Sequence, residues 1–313
     1  MEADMAEIIF KAENIVKKYK KRRVFFALNG LDMEICRGDI YGFVGENGAG
    51  KTTLLRILSG RAAQTSGNIV LFGESSKKEL CQKRRYINGI IESPALYPDL
   101  TAWDNLEICR LQRGITDKKC SHKLLKLVGL TDMDIDKTKT KKFSLGMKQR
   151  LGIAMALLGN PQFLFFDEPL NGLDPMGVRD FHTLIRTINK NGITILISSH
   201  MLRELHSLAT CYGFIHKGKM IEQISSEELT EKFRRYMLLT VNDATNTAKI
   251  LHEKFGLNRM ETVSENTVHL YEGLDKGGEM MKALIANGIT VEEMTTRGED
   301  LEKYYLSLLK QSL

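Results

Sequence analysis

The eight residues Gly45-Glu46-Asn47-Gly48-Ala49-Gly50-Lys51-Thr52 fit the pattern G-x-x-x-x-G-K-[ST], and they sit between an apolar run at 40–44 and a helical run starting at Thr53. A strand, a glycine-rich turn and a helix in that order confine the chain to an α/β fold with a phosphate-binding loop. The glycines let backbone N–H groups turn toward an anion, and the helix N-terminus adds its positive end. Lys51 reaches the outer phosphates, and Thr52 offers a hydroxyl to Mg²⁺.

Two further apolar runs, 163–166 and 193–197, read with 40–44 as buried parallel strands, each leading through a polar or glycine-rich turn into helical periodicity. Shorter β-like runs at 8–10 and 31–35, separated by the basic stretch 17–23, read as an antiparallel edge. Helical texture at 102–111, 121–128 and 147–158 marks an insertion over about 93–160. Beyond Ile221 the pattern changes to strand 236–241, helix 244–255, strand 267–271, helix 278–287 and strand 289–292. That predicts a small βαβαβ domain, closed by a helix with Leu301, Tyr304, Tyr305, Leu308 and Leu309 on one apolar face. The expected division is 1–222 and 223–313.

The run 163–166 ends in Asp167-Glu168, an acidic pair at the carboxyl end of a strand, where ligands bind open α/β sheets. Asp167 is placed to hold Mg²⁺ through its water shell, and Glu168 to polarise an attacking water. Composition narrows the rest. No apolar stretch approaches the ~18–20 residues of a membrane span. Residues 1–7 are acidic and lack the apolar core of a secretion signal, so a cytoplasmic location is expected. The five cysteines are odd in number and never spaced Cys-x-x-Cys, which argues against disulfides and zinc. With 45 Lys and Arg against 39 Asp and Glu, the net charge of +6 suits an anionic partner without naming one.

Three more strings complete a set: Phe143-Ser144-Leu145-Gly146-Met147-Lys148-Gln149-Arg150, Asn171-Gly172-Leu173-Asp174-Pro175 and Ser198-Ser199-His200. In this order the chain resembles the ATP-binding subunits of ABC transporters over about residues 8–221. The resemblance implies a P-loop ABC-type domain with a RecA-like core, an antiparallel β subdomain and a helical subdomain, followed here by a small α+β domain. It implies that Gly45 through Thr53, Thr53 included, form the ATP loop, that Glu168 is the catalytic carboxylate, and that His200 contacts the γ-phosphate. It further implies that Asp174 belongs to the loop after the catalytic strand, that Ser144 and Gly146 meet ATP bound to a second copy, and that Tyr19 stacks on adenine. Two subunits would sandwich two ATP molecules and drive a separate integral membrane permease from the inner membrane face; no nucleic acid is expected.

The signature and the segment before the helical insertion depart from the family pattern. The usual Leu-Ser-Gly-Gly-Gln reads Phe143-Ser144-Leu145-Gly146-Met147, and the usual glutamine before the helical insertion is Glu92. These variants resemble the branch that exports, or protects against, bacitracin and lantibiotics. A carboxylate near a tetra-anionic nucleotide is tolerable chiefly where Mg²⁺ or a nearby cation offsets it, and Glu92 is expected to approach the metal. Leu145 either points away from the phosphate or leaves the site less tightly closed. The basic runs read as solvated faces. The helical region around Trp103 either faces the permease, as the family implies, or is a capped helix with a packed tryptophan. Two alternatives compete with this reading. A soluble ABC ATPase working on ribosomes or chromosomes is disfavoured by a single cassette with only 93 positions between Lys51 and Ser144. A nucleotide-gated regulator without turnover is disfavoured because Glu168, Asp174 and His200 are all present.

Overall fold

The computed structural model describes residues 7–20, 24–131, 137–232, 236–297 and 301–311. Two compact units result, one holding the chain up to Ser226 with the final residues from Leu309, the other Glu227–Leu308. In chain order the first contains β1 (Ile8–Lys20), β2 (Val24–Cys36), β3 (Ile40–Gly45), α1 (Lys51–Leu58), β4 (Ser66–Leu71), α2 (Lys77–Lys83) and β5 (Ile87–Ile90). The helices α3 (Ala102–Gln112), α4 (Lys119–Leu127) and α5 (Leu145–Leu157) follow. Then come β6 (Phe163–Asp167), α6 (Pro175–Lys190), β7 (Thr194–Ser199), α7 (Leu202–Leu205), β8 (Cys211–His216) and β9 (Lys219–Ser225); α8 (Ser226–Lys232) follows and, from Glu227 on, belongs to the second unit.

The main sheet runs β5-β6-β7-β3-β8-β9, parallel except for the last hairpin. Every residue of β3, β6 and β7 is buried, as strands covered on both faces require, which is why their sequences are mostly apolar, with the polar exceptions Thr194, Ser198, Ser199 and Asp167 at strand ends. A second, antiparallel sheet runs β2-β1-β4 and shares a core with α1 through Phe10, Ile15, Leu28, Leu54 and Leu55. The expected antiparallel edge is thus present, and residues 17–20 of the basic stretch lie within it. Residues 17–20 continue β1 because their backbone pairs with β2, Lys18 against Phe26 and Tyr19 against Phe25, while the lysine stems extend over exposed ring faces. Lys21, Arg22 and Arg23 lie outside the described residues.

The three helices of the insertion form where periodicity predicts them. Thr101 and Asp104 make a reciprocal capping box at the start of α3, and the Trp103 ring lies 4.3 Å from that of His122 on α4.

The second unit contains β10 (Tyr236–Val241), α9 (Ala244–Phe255), β11 (Met260–Ser264), β12 (Thr267–Leu270), α10 (Gly277–Ala286) and β13 (Val291–Arg297), then α11 (Leu301–Gln311). Its sheet order is β11-β12-β10-β13, all antiparallel, a β-α-β-β-α-β arrangement rather than the expected βαβαβ. The strand missed from sequence, β11, is a polar edge strand with mostly exposed residues, so no apolar alternation marks it. The last strand also starts later and runs longer than the 289–292 expected, because pairing with β10 extends it to Arg297. Val241, Leu239, Val268 and Leu270 pack against Leu251, Met280 and Leu284 as a separate core. On α11, Tyr304 and Leu308 are buried, and Lys232 Nζ bonds the Tyr304 hydroxyl at 3.0 Å.

Candidate functional site

Strand order decides which motifs meet. β7 lies between β6 and β3, with Asp167 registered against Ser198 and Val44 against Ser199. The carboxyl ends of β3, β6 and β7, and the loops that leave them, therefore share one edge of the sheet.

The loop after β3 turns through Gly48 and Gly50, both at positive φ. Gly50, at φ 118°, admits no other residue, since a β-carbon there would lie 2.5 Å from the Ala27 carbonyl. Ala49 closes a turn onto the Glu46 carbonyl at 3.1 Å, while Glu46, Asn47 and Gly48 form the exposed rim, with Glu46 3.4 Å from His216 Nδ1. No side chain caps α1, which leaves the amides of its first turn, Thr52 and Thr53 among them, without a side-chain acceptor, as an anion-binding helix start requires.

Lys51 is 5% exposed, and its ammonium donates to the carbonyls of Gly45 and Glu46 and pairs with Glu168 Oε1 at 3.0 Å. The other Glu168 oxygen accepts from the His200 ring Nδ1 at 2.8 Å and from the His200 backbone N–H at 3.3 Å. Glu168 adopts φ 48°, a left-handed conformation costly for a residue with a β-carbon, and its own N–H is held by the Ser198 hydroxyl at 2.9 Å. Ser198 also donates to Asp167 Oδ1, and Thr52 to Asp167 Oδ2, each at 2.7 Å. Ser198 is thus a positioning residue, and no local pattern marks it, because its place beside Asp167 comes from the pairing of β6 with β7.

Burial opposes ionisation of Glu168, but hydrogen bonds from His200 and Lys51 outweigh it and hold the carboxyl below its ordinary 4.5. A depressed folded-state value contributes stability above the unfolded pKa, which is lost as pH falls through the folded one. Glu168→Gln protein should therefore lose less of its melting temperature than wild type on acidification from about pH 6 to about pH 3, as read by calorimetry.

The remaining expected residues fall elsewhere. Tyr19 stands 37% exposed near the end of β1 with Lys17 Nζ 5.0 Å above its ring. Ser144 caps α5 by accepting from Met147 N–H, Asp174 caps α6 by accepting from Gly177 N–H, and Gly146 lies near Leu173. None of these shares a hydrogen bond or ion pair with the phosphate loop of its own chain. The Glu92 carboxylate pairs with Arg56 of α1, a nearby cation that offsets its charge. Thirty-six positions separate the two, so no local pattern announces the pair. Among the described residues no cluster of three or more His, Cys, Asp or Glu could enclose a metal. The oxygens of Thr52 and Asp167 fit instead a cation that takes few protein ligands and completes its shell with phosphate and water, as Mg²⁺ does.

A buried lysine at the mouth of an amide-lined loop, facing an ionised carboxylate held by histidine, defines a P-loop nucleoside triphosphatase. The ABC transporter family pattern matches residues 28–171. The bacitracin transport ATP-binding protein BcrA of Bacillus licheniformis is 38% identical over 96% of this chain and 97% of its own. The lantibiotic transport ATP-binding protein SrtF of Streptococcus pyogenes is 43% identical over 74% of this chain and 98% of its own. Among solved structures, the dimeric ATP-binding cassette MJ0796 in a post-hydrolysis state with ADP and Pi superposes with a TM-score of 0.62, at 24% identity, over 69% of this chain and 98% of that one. The chain belongs to the ABC transporter ATP-binding proteins.

Proposed function

We propose that this ATPase powers a separately encoded membrane permease that exports, or confers resistance to, an antimicrobial peptide or related compound. No helix among the described residues is long and apolar enough to cross a membrane, and the relatives covering the chain are named for bacitracin and lantibiotic transport. Such a subunit works at the inner face of the cell membrane.

The contact that carries the catalytic reading is the Lys51–Glu168–His200 array. Lys51 and the amides of the loop bind the β- and γ-phosphates, with Tyr19 stacked on the base. His200 keeps Glu168 ionised and aimed, so that Glu168 accepts a proton as water attacks the γ-phosphorus in line and the bond to the ADP oxygen breaks. Thr52 and Asp167 would hold Mg²⁺, which neutralises charge on the phosphates when bound. Ser144, Gly146 and Asp174, all away from the phosphate loop of their own chain, suit a second copy whose ATP they would close over. A dimeric cassette with the same fold supports that arrangement.

The metal assignment has a direct test. Thr52→Ala should raise the Mg²⁺ concentration for half-maximal ATPase about tenfold, whereas Glu92→Gln, on a carboxylate that is 66% exposed and already paired, should leave it within about twofold. A Mg²⁺ requirement that follows Glu92 would instead place that residue at the metal, directly or through water. The transport reading is checked in inside-out vesicles carrying a candidate permease together with this chain. ATP-dependent uptake of bacitracin or a lantibiotic supports it, and ATPase stimulated by ribosomes but by no vesicle would overturn it.

A further inference from the structure

Leu145, where the family places glycine, is the first residue of α5 and remains 45% exposed. Its side chain points at the loop that follows β6. A β-carbon built on Gly172 would lie 2.9 Å from Leu145 Cδ2, and one on Gly146 would lie 3.7 Å from Leu173 Cδ2. One turn further along α5, Gln149 Nε2 donates to the Pro169 carbonyl at 3.2 Å. Three contacts thus tie the first turns of α5 to residues 169–173, and the next residue, Asp174, is fixed by capping α6. Gly172 sits at φ 77°, so it serves both the backbone turn and the space that Leu145 fills. The room lost by replacing glycine at 145 is recovered at 172.

We propose that Leu145 is a positioning residue that clamps the 169–174 loop to the signature helix of its own chain, so that Ser144, Gly146 and Asp174 meet a second copy as one surface. The inference rests on the ATP-sandwich reading above. A flexible join between the two segments would have to be ordered during dimerisation, at an entropic cost; a preformed join avoids it.

The test is made in the Glu168→Gln protein, where ATP-bound dimers do not turn over. Adding Leu145→Ala should weaken ATP-driven dimerisation about tenfold by sedimentation, with the affinity of dilute monomer for a fluorescent ATP analogue changed less than about twofold. Leu145→Met, which keeps the reach to Gly172, should restore dimerisation. Gly172→Ala should impair it through both backbone strain and the clash with Leu145. Combined with Leu145→Ala only the strain remains, so the double variant should be less impaired than the product of the single effects. Unchanged dimerisation in Leu145→Ala, no rescue by methionine, or strictly multiplicative losses would each overturn the clamp. Glu168→Gln protein that stays monomeric with ATP would instead sink the sandwich reading, and the clamp with it.

Discussion

Replacing Glu168 with glutamine is expected to cut steady-state ATP hydrolysis by roughly 10²–10⁴-fold, the range a positioned general base contributes. The amide keeps the size of the side chain and its contact with His200, but it cannot take a proton from water. It also removes the carboxylate that holds Lys51 at 3.0 Å, so the ammonium no longer has to leave an ionic partner to meet the γ-phosphate. ATP affinity should therefore hold or tighten while turnover collapses, and the protein should sediment as an ATP-dependent dimer. Phosphate release and sedimentation on the same preparation decide the matter. Turnover above a tenth of wild type would move the base to another residue.

Lys51→Ala has the opposite signature. A charged hydrogen-bond donor is worth about 1.5–3 kcal/mol, so ATP affinity should fall roughly ten- to a hundredfold. The same change leaves Glu168 with His200 alone and lets its carboxyl titrate back toward the ordinary range, since Lys51 helps to depress it. Lys51→Met, which refills the buried volume without charge, should lose as much affinity as alanine if the ammonium is what matters. Isothermal titration with ATP and with tripolyphosphate separates the phosphate contact from the base. Unaltered affinity for both would remove the loop from phosphate binding.

Much of the first unit is legible locally. The runs at 40–44, 163–166 and 193–197 become β3, β6 and β7 because strands covered on both faces must be largely apolar. The starts of α3, α5 and α6 follow from Thr101, Ser144 and Asp174, each accepting a bond from the helix amide three residues on. Other elements leave no such trace. β11 is polar at a sheet edge, and the lysines of β1 look like a loop until the pairing with β2 is known. Glu92 and Arg56 pair across the fold, as do Leu145 and Gly172, and neither contact has a spacing that periodicity can detect.

The sequence by itself determined the phosphate loop, its strand and helix, the acidic pair and the family. Each is a short string whose chemistry depends on immediate neighbours. Only the tertiary structure decided that β7 would lie between β6 and β3, and with it that Lys51, Asp167, Glu168, Ser198 and His200 would share one edge. Strand order and side-chain partners are set by packing among segments far apart in the chain. For the same reason Glu92 faces Arg56 and Leu145 faces Gly172.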